Sequence, residues 1–206
     1  MKVLLINGSP RENGCTYRAL DEIAQTLSRD FIETEFLHLG KREIRGCIAC
    51  GQCKALGRCI FDDIVNQAAE KMETCDAMVV GSPVYFASAN GTLFSFLDRL
   101  FYANRRSFFH KPAACVVSAR RAGATASMDA LLKYFSISQM PIVTSSYWPM
   151  VHGNTPEEVE KDLEGLQTMR NLARNLAWIL KAIHLGKQNG LQPPDNNTAV
   201  HTNFIR

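Results

Sequence analysis

Neither sign of charge dominates this sequence. The 23 lysines and arginines against 20 aspartates and glutamates leave +3 over 206 residues, with the basic residues scattered. That balance points to neither nucleic acid nor a membrane surface, and it leaves an anionic small ligand compatible. No apolar run reaches the length of about 18 residues that suggests a membrane span. The chain opens directly into KVLLINGSP, too short an apolar stretch for a signal peptide and without a small-residue cleavage site. A cytoplasmic protein is expected. There is no internal repeat and no low-complexity run, and His38, His110, His152, His184 and His201 show no metal-ligand spacing. Three phosphate-site signatures are missing too: G-x-G-x-x-G, G-K-[ST], and the Cys-x5-Arg of tyrosine phosphatases, since Asp21 stands where the arginine after Cys15 would fall.

What is present reads as one α/β domain. The chain is 46% hydrophobic and long enough for one well-buried core. Apolar β-rich runs at 2–7, 33–39, 76–83, 112–118 and 141–148 alternate with helical patterns at 16–28, 64–74, 89–104, 126–137 and 156–184. In the first helix Leu20, Ile23, Ala24 and Leu27 form one stripe. Strands separated by helices imply a parallel sheet covered on both faces. Two segments break the rhythm: a cysteine-rich insert at 41–63 and a polar tail over 186–206. The domain is therefore drawn at 1–185. Phe204 and Ile205 in the tail could dock on a neighbour.

Ligands of such sheets gather at the carboxyl ends of the strands, near the point where strand order reverses. The loop GSPRENGCT after the first strand lies there and feeds a helix N-terminus, which favours an anion. Ser9, Arg11, Asn13 and Thr16 add polar side chains, and a phosphomonoester such as that of FMN fits. The same residues also read as an ordinary helix cap with a turn proline. After the third strand, GSPVYFASANG offers residues 83–86 as a wall for a flat ring, although Tyr85 and Phe86 would equally serve to cap the core. After the fourth, SARRAGATAS brings small residues that allow close backbone approach, with Arg120 or Arg121 as a counter-charge or a solvated surface residue.

These stretches, with CIACGQCKALGRCIFDD between them, resemble the NADPH-dependent FMN reductase and iron-sulfur flavoprotein group of the flavodoxin-like superfamily over roughly residues 1–150. The resemblance implies a flavodoxin-like three-layer α/β/α sandwich, with a five-stranded parallel sheet of order 2-1-3-4-5 that binds FMN and carries the cysteine insert after strand 2. It aligns Ser9, Arg11, Asn13, Cys15 and Thr16 with the phosphate loop. Pro83, Val84, Tyr85, Phe86 and Asn90 fall on the loop beside the ring and ribityl chain. Ser118, Arg120 and Gly123 fall in the third loop, which is richer in glycine in that group. It also implies dimers or tetramers.

Cys47, Cys50, Cys53 and Cys59 form a C-x2-C-x2-C-x5-C array. Four cysteines within thirteen positions point to a soft metal centre: a [4Fe–4S] cluster, with zinc as the competing occupant. Reduced, empty thiols are the bland alternative. Cys75 and Cys115 read as small core residues. Cys15 stands at a helix N-terminus, where a thiol's pKa is lowered, and reads as a backbone contact to phosphate. No acid–base pair emerges, and a flavin reaction requires none.

The expected function is an FMN-dependent oxidoreductase or electron-transfer flavoprotein. With a cluster, a donor such as ferredoxin would feed it. Without one, NAD(P)H would reduce FMN directly. A small-molecule acceptor such as a quinone or free flavin would follow, and the likeness makes a homodimer or homotetramer plausible, with one chain's cysteine loop brought towards another's flavin. A zinc-stapled, non-enzymatic binding module is the third reading.

Overall fold

The computed structural model describes residues 1–200 and Thr202; Phe204 and Ile205, and with them the expected docking role, lie outside the described residues. Five parallel strands run in the order β2 (Glu33–His38), β1 (Lys2–Asn7), β3 (Ala77–Tyr85), β5 (Ala113–Ala119) and β6 (Met150–His152). A two-residue strand, β4 (Ser88–Ala89), folds back antiparallel on β3. The expected order 2-1-3-4-5 is therefore the observed one.

Alternation along the strands divides the core in two. Leu4, Ile6, Met78, Val80, Cys115 and Val117 face one side, against α3 (Ile64–Thr74), α4 (Gly91–Asn104) and α5 (Ala124–Ile137). Val3, Leu5, Ala77, Val79, Ala114 and Val116 face the other, against α1 (Cys15–Arg29) and α7 (Leu163–Gln188). Because successive side chains in a strand point to opposite faces, a strand buried on both needs an unbroken apolar run. Each fully buried Leu or Ile contributes about 1.5–3 kcal/mol. Cys75 and Cys115 are buried among these residues, as small hydrophobes.

Three boundaries differ from the expectation. The run at 141–148 is not the fifth strand: only Ile142 bridges to Ala113, and regular pairing resumes at Met150. Between them the run is tied to α7: Asn175 Nδ2 donates to Thr144 O (2.8 Å), a carbonyl that pairing would have used, and Ser145 Oγ donates to Thr168 O (2.6 Å). The final helix is two pieces, α6 (Pro156–Val159) and α7, because Asp162 caps the second through Gly165 N (2.9 Å). α7 continues to Gln188, through the boundary drawn at 185. The insert contributes a single turn, α2 (Cys53–Leu56). No helix among the described residues is long and apolar enough to cross a membrane.

Candidate functional site

The carboxyl ends of β1 and β3 meet the first turn of α1 at a point where no side chain fits. A Cβ on Gly81 would stand 2.8 Å from both Thr16 Cγ2 and Leu20 Cδ1, and one on Gly8 would stand 2.9 Å from Gly81 O. Gly8 N donates to that same oxygen at 2.8 Å. This crossing lies between β1 and β3, where strand order reverses, which is where open α/β sheets bind ligands.

The loop from Gly8 to Gly14 is folded by its own side chains. Buried Asn7 accepts from Ser9 N (3.0 Å) and donates from Nδ2 to Glu12 O (3.1 Å). Ser9 Oγ accepts from Arg11 N at 3.1 Å. Ser9 is thus turned to its own loop, with its hydroxyl proton still available, and does not cap α1. No side chain caps that helix: Gly14 precedes it in an extended conformation, so the amides of its first turn have no intrahelical acceptor. An uncapped N-terminus above a folded loop is what an anion cradle needs, and it is what a capped helix would not leave open. Arg11 and Asn13 lie exposed on the rim.

Thr16 and Ser118 join the first and third loops. Their hydroxyls are 2.8 Å apart and both residues are buried. The Cys15 thiol turns away, its Sγ 3.5 Å from Gly153 O. The expected lowering of its pKa does not occur: burial pushes the thiol above its ordinary value, outweighing its backbone amide and the nearby Arg11 charge.

The second loop holds a feature that its sequence hides. Val84 pairs with Ala89 and Tyr85 with Ser88, leaving Phe86 and Ala87 as a two-residue hairpin turn with φ of +51° and +57°. Turns of this kind normally use Asn-Gly, because left-handed backbone costs other residues about 1–2 kcal/mol each. The strain is held in place by the third loop. Gly123, itself at φ +93°, packs so closely that a Cβ there would lie 2.7 Å from Ala87 Cα and 3.1 Å from Val84 Cγ1. Phe86 is thereby fully exposed at the tip, and Tyr85 about half exposed beside it. Pro83 and Val84 are half-buried at the mouth of β3. Asn90 serves the helix: its Oδ1 accepts from Thr92 N (2.7 Å) and its backbone N–H donates to Ser82 Oγ (3.0 Å). Arg120 and Arg121 are exposed.

The cysteine arm leaves the sheet after β2 and returns at α3. Cys47, Cys50, Cys53 and Cys59 all line one recess, whose wall includes Phe61, Arg99 and Tyr102. The chain turns sharply between these cysteines, with Ala49, Gly51 and Gly57 all left-handed. Among the described residues, no three His, Cys, Asp or Glu side chains converge closely enough to hold a single ion. The arm is fastened at its last cysteine. Buried Asn66 accepts from Cys59 N and donates to Cys59 O, both at 3.0 Å. Arg99, 2% exposed on α4, donates to Cys59 Sγ at 3.2 Å. Asn7, Asn66 and Arg99 were missed in the sequence; each is a polar residue within or beside an apolar run, and that position is their only signal.

Three loops meeting above a 2-1-3 strand reversal, with no dinucleotide fingerprint, define a protein of the flavodoxin-like class. The chain belongs to the NADPH-dependent FMN reductase family, whose sequence model matches residues 1–155, and it is therefore a flavin-dependent oxidoreductase working with FMN. Among curated proteins it is similar to an iron-sulfur flavoprotein of Methanocaldococcus jannaschii, 32% identical over 193 residues, covering 89% of this chain and 99% of that protein. It is also similar to an iron-sulfur flavoprotein of Methanosarcina thermophila, 27% identical over 188 residues, with coverage of 89% and 97%. A solved flavodoxin from the domain Archaea shares the fold at a TM-score of 0.60 and 13% identity, over 88% of this chain and 99% of the other. RosB with a bound riboflavin phosphate intermediate shares it at 0.69 and 15% identity, over 100% and 92%.

Proposed function

We propose that the chain is an electron-transfer flavoprotein in which the cysteine arm carries a [4Fe–4S] cluster and passes electrons to FMN. The observation that carries the reading is that all four arm cysteines line one recess. Four cysteines beside one recess suit a centre in which each thiolate holds a different iron. The names of the curated relatives support the same assignment.

FMN would lie with its phosphate on the uncapped first turn of α1, within reach of the hydroxyls of Ser9 and Thr16 and of Asn13, with the Arg11 cation on the rim and Cys15 contributing its backbone amide. Its ring would rest against Pro83, Val84, Tyr85 and Phe86, with Asn90 setting the helix behind them. Ser118, Arg120 and Gly123 would border the opposite side. The flavin supplies chemistry that no side chain can: it accepts a hydride, or single electrons one after another. The protein's part is orientation and electrostatics. Thr16 and Ser118 fix the distance between the first and third loops, and the latched hairpin holds an aromatic face that does not have to be ordered on binding.

The physiological donor in this reading is a ferredoxin-like one-electron carrier, with NAD(P)H as the donor if the arm is empty, and the acceptor is a small molecule in the cytoplasm. Ile48, Leu56, Ile60 and Tyr102 leave apolar surface exposed around the arm, and Tyr85, Phe86, Tyr147 and Trp148 do so on other loops. Two such patches support a homodimer or homotetramer that brings one chain's arm to another's flavin. Anaerobic purification followed by a visible spectrum and metal analysis tests the proposal. About four irons and four sulfides per FMN are expected; a yellow, iron-free protein with rapid NAD(P)H turnover, or a colourless one holding one zinc, would contradict it.

A further inference from the structure

We propose that Arg99 is a positioning residue that raises the reduction potential of the centre on the cysteine arm by holding a cationic N–H against Cys59. The inference rests on the cluster reading above. A guanidinium has five N–H donors, and in this chain all five are used. Nη1 donates to Asp63 Oδ2 (2.8 Å) and Arg45 O (3.3 Å), and Nη2 to Asp63 Oδ1 (2.9 Å) and Phe61 O (3.2 Å). The fifth, Nε, points at Cys59 Sγ (3.2 Å).

The side chain is 1% exposed on a helix otherwise packed with Phe96, Leu97 and Leu100. Burying a cation there costs several kcal/mol unless it is fully partnered. Asp63 alone would neutralise it, and the backbone carbonyls would satisfy what remained. The fifth donor is nevertheless given to a sulfur. A neutral thiol is a weak acceptor, whereas an ionised one accepts a charge-assisted bond. The contact therefore suits a Cys59 that carries negative charge, as a metal-ligating thiolate does. Cys59 is also the cysteine whose backbone Asn66 clamps on both sides, so the main chain that carries the sulfur is held beside the guanidinium.

Hydrogen bonds and positive charge at a cluster sulfur stabilise the more negative, reduced state, and so raise the potential. Asp63 partly offsets the cation. Arg99 stands about 12 Å of helical rise from the start of α4 at Gly91, and that end of the helix follows directly on the hairpin assigned to the flavin.

The test is the one-electron midpoint potential of the FMN-loaded, anaerobically reconstituted protein, poised with dithionite and read by electron paramagnetic resonance. Arg99→Gln is expected to make reduction about tenfold less favourable, a fall of about 59 mV, with FMN still bound. Asp63→Asn keeps an acceptor for the α3 cap at Val65 N but removes the counter-charge, so its potential is expected to rise. The opposite signs separate tuning from a purely structural anchor, which would change iron content or stability and leave the potential alone. Unchanged potentials in both variants at full iron would overturn the proposal. If Arg99→Gln cannot hold iron, Asp63→Asn decides alone: a rise supports the proposal, and no rise overturns it. Wild-type protein that takes up no iron would instead defeat the cluster reading itself.

Discussion

The first loop and the cysteine arm sit on neighbouring strands and are built in opposite ways. The loop is sewn into the sheet. Asn7 folds it, Gly8 and Gly81 seat it against α1, and Ser118 ties it to the third loop. The arm is mostly exposed and is fastened chiefly at Cys59, through Asn66 and Arg99. A site whose walls belong to the core is formed before its ligand arrives, and binding then costs little ordering. A loop with so few fastenings would gain order from the centre proposed for it, because metal binding and folding are coupled when ligands have no other reason to meet.

That contrast can be broken most directly in the arm. Cys53→Ala is expected to abolish bound iron while leaving FMN affinity and the domain's unfolding midpoint nearly unchanged; metal analysis beside a thermal melt checks it, and full retention of iron would refute the ligand assignment. In the loop the dependence reverses. Gly81→Val places side-chain carbons where Thr16 and Leu20 already stand, so it is expected to cost at least about 1–3 kcal/mol of stability and to release FMN, with the arm chemistry untouched. Thiol reactivity of the apo-protein sharpens the comparison further. Exposed Cys47 and Cys50 should alkylate first at neutral pH. Cys15, half-buried and pushed up by burial, should follow slowly. Cys115, whose thiol burial pushes up to about 12, should react only on unfolding; mass spectrometry of timed samples gives the order. The smallest effect is expected in the hairpin. Ala87→Gly relieves left-handed strain but loosens the unfolded chain, so it should shift stability by less than about 1 kcal/mol in chemical denaturation.

The loop was legible in the sequence because local rules govern it: an apolar run stopping at Gly8-Ser9-Pro10 and feeding a helix has few other readings. The four cysteines were legible for the same reason, since their spacing is local. What escaped is held by distant partners. The hairpin at Phe86-Ala87 has no turn residues and depends on Gly123, more than thirty positions away. The fifth strand slid to Met150 because α7 captures Thr144 and Ser145. Arg99 reads as an ordinary polar position on an amphipathic helix until Asp63 and Cys59 are seen to enclose it. The high pKa of Cys15 escaped likewise, because helix position can be read from a sequence and burial cannot.

The account depends most on the uncapped first turn of α1 gripping a phosphoryl group. Titrating apo-protein carrying Cys53→Ala with FMN and, separately, with riboflavin, while following flavin fluorescence, tests this with the arm silenced. The account predicts quenching by FMN at an affinity at least about 100-fold above that for riboflavin, the equivalent of about 2.7 kcal/mol carried by the phosphate. Equal affinities for the two flavins, or no quenching by either, would contradict it.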